Sequence, residues 1–329
     1  MSSSLGTCLT LVYFVLIYCG TQAYSLIIQN RNKIDLSHLG ARMYGKPRAD
    51  VGREVDRYYQ NFQFDKNPEE LGQYADGDIL IPRPTPKNGV VGESYRWPNG
   101  VIPFEIRGTF SSQEMQTIKT AIAAYHKNTC IKFVPRKDID KDYVSIQASP
   151  SGCWSSVGRT GGQQIVNLQS PGCLVKVGTA IHELMHAVGF LHEQNRPERD
   201  EFVAIQYENV QKGAEVNFAK AKGGTSNGFG VSYDYGSIMH YSMNAFSSNG
   251  QATIVPLKST RAKIGQREDF SSGDKQKIWN MYNCKSSTSS SGFKPDFASA
   301  IETVPNIISG LIGLFFPDES DAEEIRNTK

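Results

Sequence analysis

The chain has 329 residues, which at roughly 150 per domain allows about two structural units, or one large unit with additions. Its 35 Lys and Arg against 33 Asp and Glu leave a formal charge of +2 and no dense basic block, so there is no electrostatic case for gripping nucleic acid or an acidic membrane. With 39% hydrophobic and 21% charged residues the chain can bury a core, and 6 Cys are too sparse to replace one.

In chain order, Leu9 to Tyr18 is a nearly unbroken apolar run, shorter than the roughly 20 residues a membrane helix needs. Small residues follow at Gly20, Thr21 and Ala23, so residues 1–23 read as a secretory signal peptide and the protein as extracellular. Removing them takes Cys8 and Cys19 and leaves Cys130, Cys153, Cys173 and Cys284 for a compartment that oxidises thiols. Four cysteines allow three pairings, and spacing does not choose among them. Residues 24–87 are polar and close on Ile81-Pro-Arg-Pro-Thr-Pro-Lys87, where proline enforces an extended, exposed connector. A trypsin-like protease can cut such a stretch after Lys87.

Residues 88–284 read as mixed α and β. Val101 to Ile106 resembles a first strand. Ser111-Ser-Gln-Glu114 is a capping box, and Met115, Ile118, Ile122 and Tyr125 then recur at helical spacing as a core stripe. Val144 to Gln147 and Ile165 to Leu168 read as strands bounded by Gly, Ser or Pro. A second helix begins near Gly178 and must end at Gly189, and a last one covers about Gly273 to Tyr282. Residues 285–329 open on a Ser-rich linker and hold an apolar stretch, Ile307 to Phe316, too short to span a membrane. They read as a flexible tail.

The second helix carries His182-Glu183-Leu184-Met185-His186-Ala187-Val188-Gly189-Phe190-Leu191-His192. Residues four apart share one helix face, so His182 and His186 can meet one ion. Gly189 releases the helix and lets the chain return His192 to the same point. Three neutral imidazoles with an open position make a catalytic zinc site. Glu183 then stands where it can take a proton from water whose pKa the metal lowers from about 15.7 towards 7. From 6 His in the whole chain, a chance H-E-x-x-H is expected about 0.005 times, so coincidence is set aside.

This motif, followed by Glu193 and Arg196-Pro-Glu-Arg199-Asp200, resembles the zinc signature of the astacin metalloendopeptidases, a branch of the metzincins. Ser237-Ile238-Met239-His240-Tyr241 is similar to the family's Met-turn, and the resemblance runs from Asn88 to Cys284. It implies an α+β fold in two lobes, with a twisted mixed sheet and two long helices over the cleft and an irregular lower lobe ending in a helix. It also implies one zinc held by His182, His186, His192 and, in the mature enzyme, the phenol of Tyr241, which can also meet the developing oxyanion. Glu183 would be the base and Met239 an apolar floor beneath the metal, while His240 is no ligand.

By the same resemblance, Glu193 approaches the new amino terminus at Asn88 once the chain is cut. Tyr74-Ala75-Asp76-Gly77-Asp78-Ile79 is similar to the family's F-x-G-D switch, with Ala75 in place of Phe. Asp78 would then ligate the zinc of a zymogen, with Asp76 one turn position away; the alternative for this stretch is an ordinary acidic turn. The family pairs cysteines as Cys130 with Cys284 and Cys153 with Cys173. Gly161 to Leu168 matches its cleft-edge strand, where an extended polypeptide substrate adds as an extra strand. Arg261, Lys263 and Arg267 fall where the family builds the pocket just after the scissile bond, and a cation there favours an acidic side chain. The expectation is a secreted zinc endopeptidase with a propeptide over 24–87, a catalytic domain over 88–284 and a tail over 285–329.

Overall fold

The polar stretch ahead of the catalytic region carries an apolar stripe, Val51, Val55 and Tyr58, at the spacing of one helix face. The computed structural model forms helix α1 there (Ala49–Gln60) and buries the stripe. It describes residues 32–63, 66–82, 93–221 and 228–284. The expected signal peptide, the cut after Lys87, Asn88 and the tail over 285–329 lie outside these. Strand β1 (Lys33–Asp35) pairs antiparallel with β2 (Glu93–Tyr95), so the N-terminal segment is stitched to the start of the catalytic region.

Four parallel strands then build the upper lobe: β3 (Val101–Ile106), β4 (Lys132–Pro135), β5 (Tyr143–Gln147) and β7 (Gln163–Leu168). A short strand β6 (Cys153–Ser155) lies antiparallel at the edge, giving the order β4-β3-β5-β7-β6. The expected cleft-edge strand, Gly161 to Leu168, is therefore interior. The chain folds back between residues 155 and 163, and β6 covers the outer edge of β7. The outer edge of the sheet on this side belongs to Cys153–Ser155, and Ile79 of the N-terminal segment bridges to it at Ser155.

Between β3 and β4 runs helix α2 (Ser112–Asn128), opened by the expected capping box: Glu114 N donates to Ser111 Oγ at 3.3 Å and Ser111 N to Glu114 Oε2 at 2.6 Å. Its Ile118, Ile122 and Tyr125 are buried, and Met115 packs against the same core. Helix α3 (Val177–Val188) packs on β6 and β7, and Tyr125 Oη donates to the carbonyl of Ile181 at 2.8 Å, tying the two helices together. From Gly178 to Val188 every residue of α3 is buried. Gly189 ends it at φ 129°, where a Cβ would lie 2.6 Å from Ile34 Cδ1, so only glycine turns the chain here.

The lower lobe is irregular, built from short 3₁₀ turns, the antiparallel pair β8 (Val203–Ile205) and β9 (Ile254–Pro256), and a second apolar cluster holding Phe218, Tyr241 and Phe246. Helix α4 (Ser272–Tyr282) closes it behind a second capping box, Ser271 with Asp274. Disulfides join Cys130 to Cys284 and Cys153 to Cys173. The first ties the end of α2 to the end of α4 across 154 residues. Closing a loop of that length removes on the order of 5 kcal/mol of unfolded-state entropy. Among the described residues no helix is long and apolar enough to cross a membrane.

On the inner side of α2, burial, aided by the charge of Lys132, lowers the His126 imidazole from 6.5 to about 4. Its Nε2 accepts a hydrogen bond from Phe133 N at 3.0 Å, a role that protonation ends. Between those two pKa values the unfolded chain binds a proton that the folded chain refuses, so stability falls as pH drops through this window. Urea unfolding of the full chain should show a midpoint that declines from pH 6.5 towards 4, with a shallower decline in His126→Gln. An unchanged slope in that variant would remove His126 from the account.

Candidate metal centre

One turn of α3 separates His182 from His186, and the break at Gly189 returns His192 beside them; all three rings are buried. Their orientation is set from behind. His182 Nδ1 donates to the carbonyl of Ile238 at 2.8 Å and His186 Nδ1 to that of Phe190 at 2.7 Å. A carbonyl can only accept, so each Nδ1 carries the proton and each Nε2 offers a lone pair. The Asp78 carboxylate faces them from the N-terminal segment: Oδ2 lies 3.0 Å from His182 Nε2 and 3.2 Å from His192 Nε2, and Oδ1 lies 3.3 Å from His186 Nε2. These four ligand atoms all lie within 4.8 Å of one another.

This arrangement fits a zinc ion. The Nε2 atoms of His182 and His192 stand 3.3 Å apart, and His186 Nε2 and Asp78 Oδ1 have no hydrogen-bond partner. Acceptors crowded onto one buried point repel one another unless a cation sits among them. Burial lowers His182 to about 4 and His192 to about 3, so both are neutral donors at physiological pH. Three nitrogens and one oxygen are the donor set of a four-coordinate zinc.

Glu183 faces the same space. Both of its carboxylate oxygens are buried without a hydrogen-bond partner, and burial, with Asp78 and Glu69 nearby, pushes its carboxyl well above the usual range. Met239 is buried in the turn over Ser237–His240, and its carbonyl accepts from Glu193 N at 3.0 Å. That turn is pinned by α4, where Asp274 accepts from Ser237 Oγ at 2.5 Å and Ile238 N at 2.8 Å. His240 stays out of the ligand group: Nδ1 donates to its neighbour's carbonyl and Nε2 accepts from Tyr233 Oη, each at 2.7 Å. Tyr241 is buried beside His192 and donates its phenol to the carbonyl of Asp76 at 2.5 Å. With the N-terminal segment in place, that hydroxyl serves the segment.

Glu193 is buried with both oxygens bonded. Oε1 accepts from Arg196 and from Asp234 N, each at 2.8 Å, and Oε2 from Lys277 at 2.5 Å. Burial acts to raise its carboxyl, but the two cations hold it below the usual range. Asp76 also lies inside. It is buried, accepts from Asn195 Nδ2 at 2.8 Å and lies 3.9 Å from the Arg42 guanidinium.

Of the three basic residues expected near the cleft, Arg261 and Lys263 are exposed. Arg267 is buried, paired with Glu69 and bonded to the carbonyl of His240 at 3.1 Å. Glu70 beside it accepts from Ser242 N and Oγ, each at 2.6 Å, so the turn Pro68–Leu71 plugs this end of the site. Nothing local to Glu69, Glu70, Asp76 or Asn195 announces these roles, since their partners lie up to 198 residues away.

A buried, four-donor metal centre beneath a mixed sheet, with an unpartnered carboxylate at its side, defines a zinc hydrolase. Residues 90–283 match the model of the Astacin family of peptidases. The chain is 42% identical over 229 residues to zinc metalloproteinase nas-4 of Caenorhabditis elegans, covering 67% of this chain and 72% of that protein. It is 37% identical over 241 residues to the astacin-like metalloendopeptidase of Mus musculus, covering 71% of this chain but 53% of that protein. Among solved structures it resembles high choriolytic enzyme 1, a hatching enzyme zinc-protease of the medaka fish Oryzias latipes, at 39% identity and a TM-score of 0.53, covering 58% of this chain and 94% of that one. This chain belongs to the astacin family of zinc metalloproteinases.

The Glu69–Arg267 pair has no exposed side-chain surface. Removing one partner of such a pair leaves an uncompensated buried charge, so Glu69→Gln should cost the full-length chain roughly 3 kcal/mol in urea unfolding. A loss under about 1 kcal/mol is what a solvent-screened surface pair gives and would count against the plug.

Proposed function

We propose that the chain is made as a secreted, latent zinc endopeptidase. Residues 1–23 serve as its signal, 24–87 as its propeptide and 88–284 as its catalytic domain, with activation by a trypsin-like protease after Lys87. The observation that carries the latency reading is the Asp78 carboxylate, which lies 3.0–3.3 Å from all three imidazole nitrogens. A carboxylate there takes the position that the reacting water needs. Secretion is supported by the apolar run ahead of Gly20 and by the two disulfides.

In this reading His182, His186 and His192 hold the zinc, joined by Tyr241 once Asp78 has left. When bound, the ion supplies Lewis-acid chemistry, acidifying water and polarising a carbonyl. The chain's own groups do the rest. Glu183 takes the proton of the attacking water on a carboxylate oxygen and returns it to the leaving amine. Tyr241 Oη, freed from the Asp76 carbonyl, donates to the oxyanion that develops on the scissile carbonyl. Met239 gives the site an apolar floor. An extended polypeptide pairs with the outer edge Cys153–Ser155, where residues 78–80 already bond: Ser155 N donates to Asp78 O and Leu80 N to Ser155 O, each at 2.9 Å. Asn88 is the new amino terminus. Lys277 and Arg196 each already bond one oxygen of Glu193, so an arriving amine shares that carboxylate with two cations.

Two variants test the reading. Glu183→Gln in the activated enzyme should keep zinc and fold and lose at least about 10²-fold in casein hydrolysis, the low end of general-base assistance. Near wild-type turnover with full zinc content would sink the mechanism. Asp78→Ala should give an uncut precursor that hydrolyses casein or cleaves itself. If that precursor is as silent as wild type, latency rests on steric cover by the segment and not on the carboxylate.

A further inference from the structure

The N-terminal segment is anchored far beyond the four donors at the metal centre. At one end β1 pairs with β2, and Arg96 N donates to the carbonyl of Asn32 at 2.9 Å. In the middle, α1 sets Val51, Val55 and Tyr58 against the catalytic region. Val55 reaches so close to Gly172 that a Cβ there would lie 2.4 Å from its Cγ1. Gln169 Nε2 bonds the Gly52 carbonyl at 2.9 Å and Asp56 Oδ1 at 2.8 Å, and Tyr74 Oη donates to the Ser151 carbonyl at 2.7 Å. At the other end lie the plug and the β6 pairing already described. Leu36, Leu39, Met43, Val55, Ile79 and Ile81 belong to the same buried core as the sheet.

Both sides of the expected cut are held. Ahead of Lys87, Leu80 N donates to the Ser155 carbonyl at 2.9 Å and the Leu80 carbonyl accepts from Ser156 Oγ at 3.0 Å, while β2 begins at Glu93 beyond Asn88. Breaking the peptide bond after Lys87 leaves the contacts of the described residues on either side in place. We propose that the catalytic domain keeps residues 24–87 as a noncovalent partner after cleavage at Lys87. The nicked protein stays silent until that segment is unfolded or degraded. This rests on reading 24–87 as an inhibitory propeptide. The apolar face of α1 and the core residues around it supply the retention, because leaving would return them to water. After α1, Phe62 is 78% exposed and Lys66 lies on the surface, and a second cut after Lys66 would detach the helix from the plug.

The test uses the full chain with residues 84–87 replaced by the site of a sequence-specific protease. After complete cutting, size-exclusion chromatography is run beside a casein assay, with the uncut precursor in parallel. At about micromolar protein both fragments should co-elute, and hydrolysis should stay near the uncut level. Digesting the retained segment with trypsin, and blocking the trypsin with a serine-protease inhibitor before casein is added, should then raise the rate at least about tenfold. Separate elution of the segment, with activity rising in step with the first cut, would overturn the proposal. Co-elution with full activity would overturn its inhibitory half. A casein-cleaving uncut precursor would instead sink the latency reading, while the elution profile still decides retention. As a second measurement, adding isolated 24–87 to activated enzyme should restore silence and co-elution, and failure to bind counts against the proposal.

Discussion

Four Lewis bases converge on one dry point, and the rest of the architecture follows from that demand. Three imidazole nitrogens and a carboxylate cannot share a buried space without a cation, because each has lost its water and faces only other lone pairs. The fold holds them there by force of packing. Helix α3 is buried along its length, Gly189 turns the chain in a conformation only glycine tolerates, and the Ile238 and Phe190 carbonyls fix which imidazole nitrogen faces inward. The metal then satisfies what the protein has assembled.

Two other buried carboxylates around this point are compensated by cations. Glu193, next to the third imidazole, is held by Lys277 of α4 and by Arg196, so the terminal helix fixes the residue following a ligand. Asp274, also on α4, grips the turn carrying Met239. Arg267 differs, because its carboxylate partner comes from the N-terminal segment. A catalytic domain without that segment keeps the cation and loses its counter-charge, which leaves an electropositive position at one end of the cleft.

The segment touches the sheet edge, the phenol and the metal centre together. It pairs with the outer edge of β6, as an extended peptide can, and its bridge of Ile79 with Ser155 is parallel. It also engages the phenol of Tyr241 and fills the fourth position at the metal centre. Yet most of what holds it lies elsewhere, in β1 and α1, on surfaces that have no part in the chemistry. The contacts at the metal centre and the contacts that hold the segment are thus made by different residues.

The spacing of His182, Glu183, His186, Gly189 and His192 was legible because helix geometry is local: residues four apart share a face wherever the helix lies. Both capping boxes, the Gly189 stop and the stripe of α2 are local in the same sense, although only the first box was read from the sequence. The family resemblance added the Met-turn, Asp78 and the cysteine pairs, none of which spacing yields. What the sequence could not decide depends on the packing of distant segments. Strand order is one case, since a hairpin turn put Cys153–Ser155 outside Gln163–Leu168 and moved the sheet edge. Charge partners are another: Arg267 looks like any surface cation until Glu69, 198 residues earlier, is buried against it. The helix at Ala49–Gln60 was hidden by its polar composition, because its short apolar stripe acquires meaning only when a matching surface covers it. Local geometry determined which atoms bind the metal, and only the tertiary structure decided what neutralises, covers and opposes them, because Coulomb energy and burial depend on distance in space and not along the chain.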